Sequence, residues 1–288
     1  MPRGDTGVGV AYSLMTPSFL LEHGKHIDYV EVPFELLRHD PSVIKVSDIK
    51  PIVLHCASLS LAGSTSASED TVDALATWVR RTKTPWLGEH LSFITADRNR
   101  AGPVLEEYAP GEPYNIGYSV SPPMNVESVA TVTKAIRRYE AKLDVPMLVE
   151  NTPIYFRVPG STLNQVEFIQ QIFDSSPGLG LLLDITHFYI TSQNMGFDPF
   201  DEIANLPLSR LVEVHISGVD LQESTHWDNH AAAAPSVVFE LLEVVLAQAS
   251  PRAITVEYNW LPSFPLDQLL GDIARVKRLL KRTGGFVS

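Results

Sequence analysis

Eight short apolar runs, each followed by a longer stretch of different character, constrain this chain more than any other feature. They are GVGVAY (7–12), IDYVEVP (27–33), PIVLH (51–55), PWLGEHL (85–91), MLVEN (147–151), LGLLLD (179–184), LVEVHIS (211–217) and AITVEY (253–258). Their Val, Ile and Leu residues run together rather than alternating with polar ones, as in strands covered on both faces. Helical periodicity lies between them, over 68–82, 125–142, 161–174, 235–248 and 265–282, with shorter pieces near 16–23, 41–47 and 198–205. Ser68-Glu69-Asp70, Asn125-Val126-Glu127 and Pro235-Ser236 are start signals, and Lys281-Arg282-Thr283-Gly284 is a stop.

Eight strand-plus-helix units within 288 residues predict a (β/α)8 TIM barrel occupying 1–288 as one domain. The rival is a doubly wound open sheet. It fits less well, because no glycine-rich phosphate fingerprint follows the first run. Segment 97–115, rich in Pro, Gly and charge, reads as a loop excursion over one end of the barrel.

Charge and cysteine content narrow the partners. With 22 basic and 34 acidic residues the net charge is −12, which disfavours a surface that tracks phosphates, so nucleic acid is not an expected partner. Cys56 is the single cysteine, which excludes an internal disulfide and a zinc-thiolate cluster. Its expected place is a small apolar position facing away from His55. The start MPRGDTGVGVAY lacks the apolar stretch of a signal peptide, and no window is long and apolar enough to span a bilayer. The expectation is a cytoplasmic protein with no membrane association.

The chemistry sits where the apolar runs stop. Their ends carry Glu31, His55, His90, Glu150 with Asn151, Asp184, His215 and Glu257. In a barrel these ends converge on one face, the face that carries active sites. His187 lies just past the sixth run, and STHWDNH (224–230) adds His226, Asp228 and His230. So many carboxylates in one place repel unless something positive lies among them. Basic residues are scarce there, and bound cations meet the need. Imidazole and carboxylate without thiolate suit iron, manganese or zinc better than magnesium or calcium.

The metal-ligand candidates are His55, His90, Glu150, Asn151, Asp184, His187, His215, Asp228, His230 and Glu257. Each alone has an ordinary structural reading. A histidine at a strand end is more often a hydrogen-bonded scaffold group, and Asn151 also suits a turn cap. Corresponding positions on several strands favour the shared site. Glu31 reads as a supporting or structural residue, and His23, His26, His39 and His226 as surface or loop residues. Arg157 suits an anionic substrate group or plain surface equally. A Ser–His–Asp hydrolase lacks its G-x-S-x-G elbow here. A glycosidase pairing Glu150 with Glu257 leaves the histidines unexplained.

VGV, VEVPFE, VLHCASLSLAG, GEHLSF, LVEN, LLDITHFYITSQNMGFD, VHISG, DNH (228–230) and VEY occur in this order over residues 7–260. Taken together, they resemble the MbnB/TglH family. The resemblance implies a xylose-isomerase-like barrel with two or three iron ions at its mouth, mixed ferrous and ferric. Such enzymes use dioxygen to rework a residue, notably cysteine, of a ribosomally made precursor peptide, often with a small peptide-binding partner protein. Carried onto the matching motifs, the iron ligands are His55, His90, Glu150, Asp184, His215, Asp228, His230 and Glu257, of which His55, His90, Glu150, Asp184, His215 and Glu257 are the expected catalytic residues. Asn151 and His187 are further members of the set. The chain departs from the family pattern at His187, commonly Asn, and at Val219, where a second His is usual. Two other readings remain open: a divalent-metal sugar isomerase or endonuclease-like barrel, and a metal-binding protein without turnover.

Overall fold

Strands buried on both sides need helices outside the sheet and side chains filling its inside, and the computed structural model provides both. It describes residues 6–96, 114–259 and 264–284. Eight parallel strands close into a barrel in chain order: β1 (Gly7–Ala11), β2 (Tyr29–Pro33), β3 (Ile52–Cys56), β4 (Leu87–His90), β5 (Met147–Glu150), β6 (Gly180–Asp184), β7 (Leu211–Ile216) and β8 (Ala253–Val256). The ring shuts with Val10 opposite Val256. A closed ring has no edges, which sets the open-sheet alternative aside.

A helix follows each strand: α1 (Thr16–His23), α2 (Phe34–His39), α3 (Glu69–Thr82), α4 (Val126–Glu140), α5 (Gln165–Ser175), α6 (Ile185–Met195), α7 (Ser236–Leu246) and α8 (Leu266–Arg282). Local chemistry fixes several starts. Ser68 and Asn125 accept from the backbone N–H groups of Thr71 and Ser128, and Asn164 and Glu167 form a reciprocal capping box. Such a cap contributes about 1 kcal/mol. Among the described residues no helix is long and apolar enough to cross a membrane.

Helix α6 does not follow from periodicity. Ile185, Thr186, His187, Phe188, Ile190, Thr191 and Ser192 are all buried, so no polar stripe marks its outer face. Its β-branched Ile and Thr residues favour strand over helix on propensity. What starts it is Asp184, the last residue of β6, whose Oδ1 accepts from His187 N at 2.7 Å. Two antiparallel hairpins stand outside the ring: Phe93–Ala96 with Tyr114–Val120, and Val219–Gln222 with Thr225–Asp228. The loop expected over 97–115 lies outside the described residues, apart from 114–115, which are strand.

The interior of the barrel is layered. Its floor is a small apolar cluster that includes Tyr29, Val53, Trp86, Leu148 and Leu182. Gly9 leaves room there, since a Cβ at that position would lie 2.5 Å from the Tyr29 ring. Above the floor sit Glu31 and Glu213, both buried. The mouth lies above these. Cys56 is buried in the outer apolar core, on the side of β3 away from His55, as strand alternation requires.

Candidate metal centre at the barrel mouth

Strand ends and the segments just beyond them bring the acids and imidazoles together. His90, Glu150 and Asp184 are the last residues of β4, β5 and β6. His55 and His215 are one residue from the ends of β3 and β7, and Glu257 directly follows β8. Register aligns them further: His90 lies opposite Glu150, and Asp184 opposite His215. Asp228 and His230 arrive by another route, at the end of the second hairpin. That segment folds tightly onto Gly218, where Asn229 N donates to Gly218 O at 3.1 Å. A Cβ at Gly218 would meet the Ala232 carbonyl oxygen at 2.0 Å, so only glycine permits this approach.

Glu150, fully buried, is the hub. Its Oε2 lies 2.6 Å from His55 Nε2 and 3.2 Å from His90 Nε2. Its Oε1 lies 3.4 Å from His187 Nδ1 and 3.7 Å from His215 Nδ1. Across the mouth, Glu257 Oε2 approaches His215 Nδ1 to 3.1 Å, and Asp228 Oδ2 approaches His230 Nε2 to 2.8 Å. His187 Nε2 lies between Asp184 and Asp228, at 3.5 and 3.4 Å.

Many of these close approaches are not hydrogen bonds. His90 Nδ1, Glu150 Oε1, Asp184 Oδ2, His215 Nδ1 and His230 Nε2 are all buried without a hydrogen-bond partner. Buried polar atoms are nearly always paired, and leaving one unpaired costs roughly 1–3 kcal/mol. Five such atoms belong to residues around one cup, and several lie within 3.7 Å of a group they do not bond, an arrangement that a shared cation would satisfy. Three sets place ligand atoms within 4.8 Å of one another, two of them overlapping: His55, Glu150 and His215; Glu150, Asp184, His215 and Glu257; and, separately, His187, Asp228 and His230. Glu150 and His215 each belong to two of these sets, a sharing that suits neighbouring ions. Orphaned atoms and donor chemistry together fit metal ions.

Electrostatics supports the same conclusion. Burial drives the His55 imidazole towards neutrality, yet the Glu150 and Glu31 carboxylates overcome it and hold it at about 10. His230 is depressed by burial but raised by Glu257 and Asp228 to about 9. At His90 burial wins, and the ring falls to about 4. Burial raises Asp184 to about 7, helped by Glu150, Glu257 and Asp228 and opposed by His187. Burial also works against ionisation of Glu257, but His230 and His215 bring it down to about 2. Protons on imidazoles thus take the place a cation would fill. Among the described residues, no Lys or Arg forms an ion pair with these carboxylates.

The supporting groups leave a weaker trace in the sequence. Asn151 lies beside the cup, but its amide is turned away from it: Nδ2 donates to Asp184 O at 2.8 Å and Oδ1 accepts from Asp184 N at 2.9 Å. Its expected ligand role gives way to holding β6 in place. Its carbonyl also lies 2.9 Å from His187 Nδ1, which leaves Nε2 of that ring to face the cup. Glu31, third of five residues in β2 rather than last, sits one layer down with Oε2 2.8 Å from His215 Nε2. Below it Glu213 accepts from Trp86 Nε1 at 2.6 Å and Thr255 Oγ1 at 3.0 Å. Glu213 has a faint sequence signal: a carboxylate two residues before His215 in an apolar strand faces the same side. Glu31, Glu213 and His215 also form a group tight enough for an ion, but donors already satisfy Glu213, so we assign it to the scaffold. His26, His39 and Arg157 are exposed, and His23 and His226 are half-buried.

Two cavities lie on the side of the mouth where the segment after β5 runs. The inner one, about 460 Å3, is lined by His90, His187 and Asp228 and by the segment after β5. The outer one, about 790 Å3, lies beyond that segment towards the end of α6.

Set against known proteins, residues 6–281 match the profile described as RiPP precursor modification enzyme MbnB/TglH/ChrH. The chain belongs to the MbnB/TglH/ChrH family. One relative, a UPF0276 protein of Pseudomonas aeruginosa, is 28% identical over 285 residues, covering 96% of this chain and 93% of its own length. Among solved structures, endonuclease IV from Thermus thermophilus superposes with TM-score 0.56 at 15% identity, over 94% of this chain and 99% of its own. A xylose isomerase-like TIM barrel protein from Mycobacterium smegmatis, in complex with magnesium, gives 0.55 at 9% identity over 98% of each chain. These likenesses establish the xylose-isomerase-like barrel. With the MbnB/TglH/ChrH match and the ligand clusters, they support a metal-dependent enzyme of that family.

Proposed function

We propose that this protein is a multinuclear non-haem iron enzyme that uses dioxygen to modify a residue, cysteine above others, of a ribosomally made precursor peptide. The observation that carries the reading is the convergence of five unpartnered buried donor atoms on one imidazole–carboxylate cup, in a chain matched from 6 to 281 by a peptide-modifying family. The single-domain assignment over 1–288 and a small peptide-binding partner protein belong to the same proposal.

His55, His90, Glu150, Asp184, His215, Asp228, His230 and Glu257 would hold two or three iron ions, with His187 Nε2 a further donor. Bound iron supplies Lewis acidity and one-electron chemistry with dioxygen. The chain's own residues do the rest. Glu150 and His215, shared between two sets, would help to hold more than one ion. Glu31 holds the proton on His215 Nε2 and so presents Nδ1 to the cup. The Asn151 carbonyl does the same for His187 through Nδ1. Ser217 Oγ donates to Asp228 Oδ1 at 3.2 Å, leaving Oδ2 for the cup. The apolar floor excludes water from below. The inner cavity admits substrate on the side of His90, His187 and Asp228.

Protein purified without oxygen is the test material. Iron at two or more equivalents by elemental analysis, a multinuclear Mössbauer spectrum, and oxygen uptake coupled to a change in peptide mass support the proposal. Zinc or magnesium at full occupancy with no iron and no oxygen uptake would overturn it in favour of a divalent-metal isomerase. Bound metal without any turnover would favour a carrier.

A further inference from the structure

We infer that the groove leaving the metal cup along the segment after β5 is a specificity subsite for an apolar side chain of the peptide, close in sequence to the residue being modified. This rests on the peptide reading above and adds a recognition rule to it. The inner and outer cavities share one wall, formed by Ile154, Tyr155, Phe156 and Val158. The inner cavity touches candidate ligands, and the outer one adds Met195 and Phe197 from the end of α6 and just beyond. The two therefore adjoin along this segment, the inner one reaching His90 and Asp228.

The groove is too long for one amino acid, since either cavity alone reaches the size that holds a drug-sized ligand. Its character is apolar and built. Phe156 is 66% exposed and Met195 36% exposed, whereas large apolar groups on a free surface are normally scattered. Tyr155 stacks on Trp227 with ring centroids 4.3 Å apart, so the wall is braced against the hairpin that delivers Asp228. Asn194 braces it from behind, donating to Ile154 O and His226 O. Polar character is sparse but suited to a polypeptide. Buried Gln165 lines the outer cavity, donates its amide to Thr152 O, and leaves Oε1 without a partner. Such an acceptor matches a backbone N–H. Arg157 and Glu167 carry opposite charges at the rim, so no anion cradle forms. An extended chain with its reactive residue in the cup and a Leu- or Phe-like side chain in the outer cavity meets all of these features.

The test uses full-length protein loaded anaerobically with ferrous iron, and fluorescein-labelled nonapeptides with one central Cys among Gly and Ser. A Leu or Phe is placed one to four positions to either side of the Cys. Anisotropy should show at least ~10-fold tighter binding for one or two placements than for the Gly/Ser peptide, the effect of burying one apolar side chain. Phe156→Ser, at an exposed position, should erase most of that gain, with metal content and melting temperature unchanged. Equal affinity for every placement would overturn the subsite, as would a gain that survives Phe156→Ser combined with Met195→Ser. The peptide with Cys→Ser separates this inference from the one beneath it. If placement still matters but neither peptide perturbs the iron spectrum, the groove stands and the cysteine reading falls. If the Cys peptide perturbs the spectrum with no placement preference, the groove falls and the cysteine reading stands.

Discussion

Two layers inside the same barrel, two residues apart along a strand such as β7 with its Glu213 and His215, follow opposite rules. In the lower layer the polar groups are matched: Glu213 accepts from Trp86 and Thr255, Tyr29 and Thr255 bond at 2.7 Å, and Glu31 meets His215. In the upper layer five buried atoms have no partner. Both layers bury acids, so acidity does not separate them. Satisfaction does. A network that closes on itself needs nothing further and contributes to the fold, whereas one left open is stable only because its strands are held by the rest of the barrel.

The contrast can be broken most sharply at the mouth. Replacing both Asp228 and Glu257 with Ala removes a half-buried donor from each side of the cup. Metal binding should be lost, a larger effect than the ~10–100-fold that outer partners cost, while the metal-free protein stays folded, losing only the stabilisation that these carboxylates lend to His230. Unfolding of the metal-free variant would refute the distinction between layers. Glu213→Ala should do the reverse, stranding the Trp86 N–H and costing about 3 kcal/mol in urea unfolding, with metal stoichiometry retained. Between these extremes lies Glu31→Gln, which links the layers through His215. It should weaken metal affinity by roughly 10–100-fold with little change in metal count, measured by chelator competition.

The smallest effect is a pH dependence. His55 and His230, held at about 10 and about 9, sit above the roughly 6.5 of an unfolded imidazole. They stabilise the metal-free fold fully below that value, and the contribution disappears as pH rises through 9 and 10. Metal uptake must displace these protons, so affinity rises with pH across the same window and binding at about pH 7 releases acid. Calorimetry in buffers of different ionisation enthalpy reads the released protons. No buffer dependence would contradict the assigned protonation.

What could be read from the chain depended on whether burial leaves a pattern. The barrel strands are legible because covering both faces forces unbroken Val, Ile and Leu. Helix α6 is buried over most of its first eight residues and rich in Ile and Thr, so its period vanishes and only the cap at Asp184 marks it. The Val219–Asp228 hairpin is short and polar, with Glu223 at φ 56°, and its residues read as loop. Strand-terminal position gathers the acids and imidazoles of the cup, but it does not tell depth. Asn151 therefore reads as a ligand although its amide serves the Asp184 backbone, and Glu213 hides inside an apolar run.

Asp184 begins α6 with one carboxylate oxygen and leaves the other unbonded beside the cup, and the last turn of the same helix carries Asn194, which grips the groove wall and the hairpin. A rod fastened at both ends transmits displacement. Occupancy of the cup should therefore register at its far end as slowed amide exchange of His226, whose N–H is held at 2.9 Å by Asn194 Oδ1. An occupant of the groove should in turn slow exchange at the His187 amide in the helix's first turn, so that each end of α6 reports what fills the other.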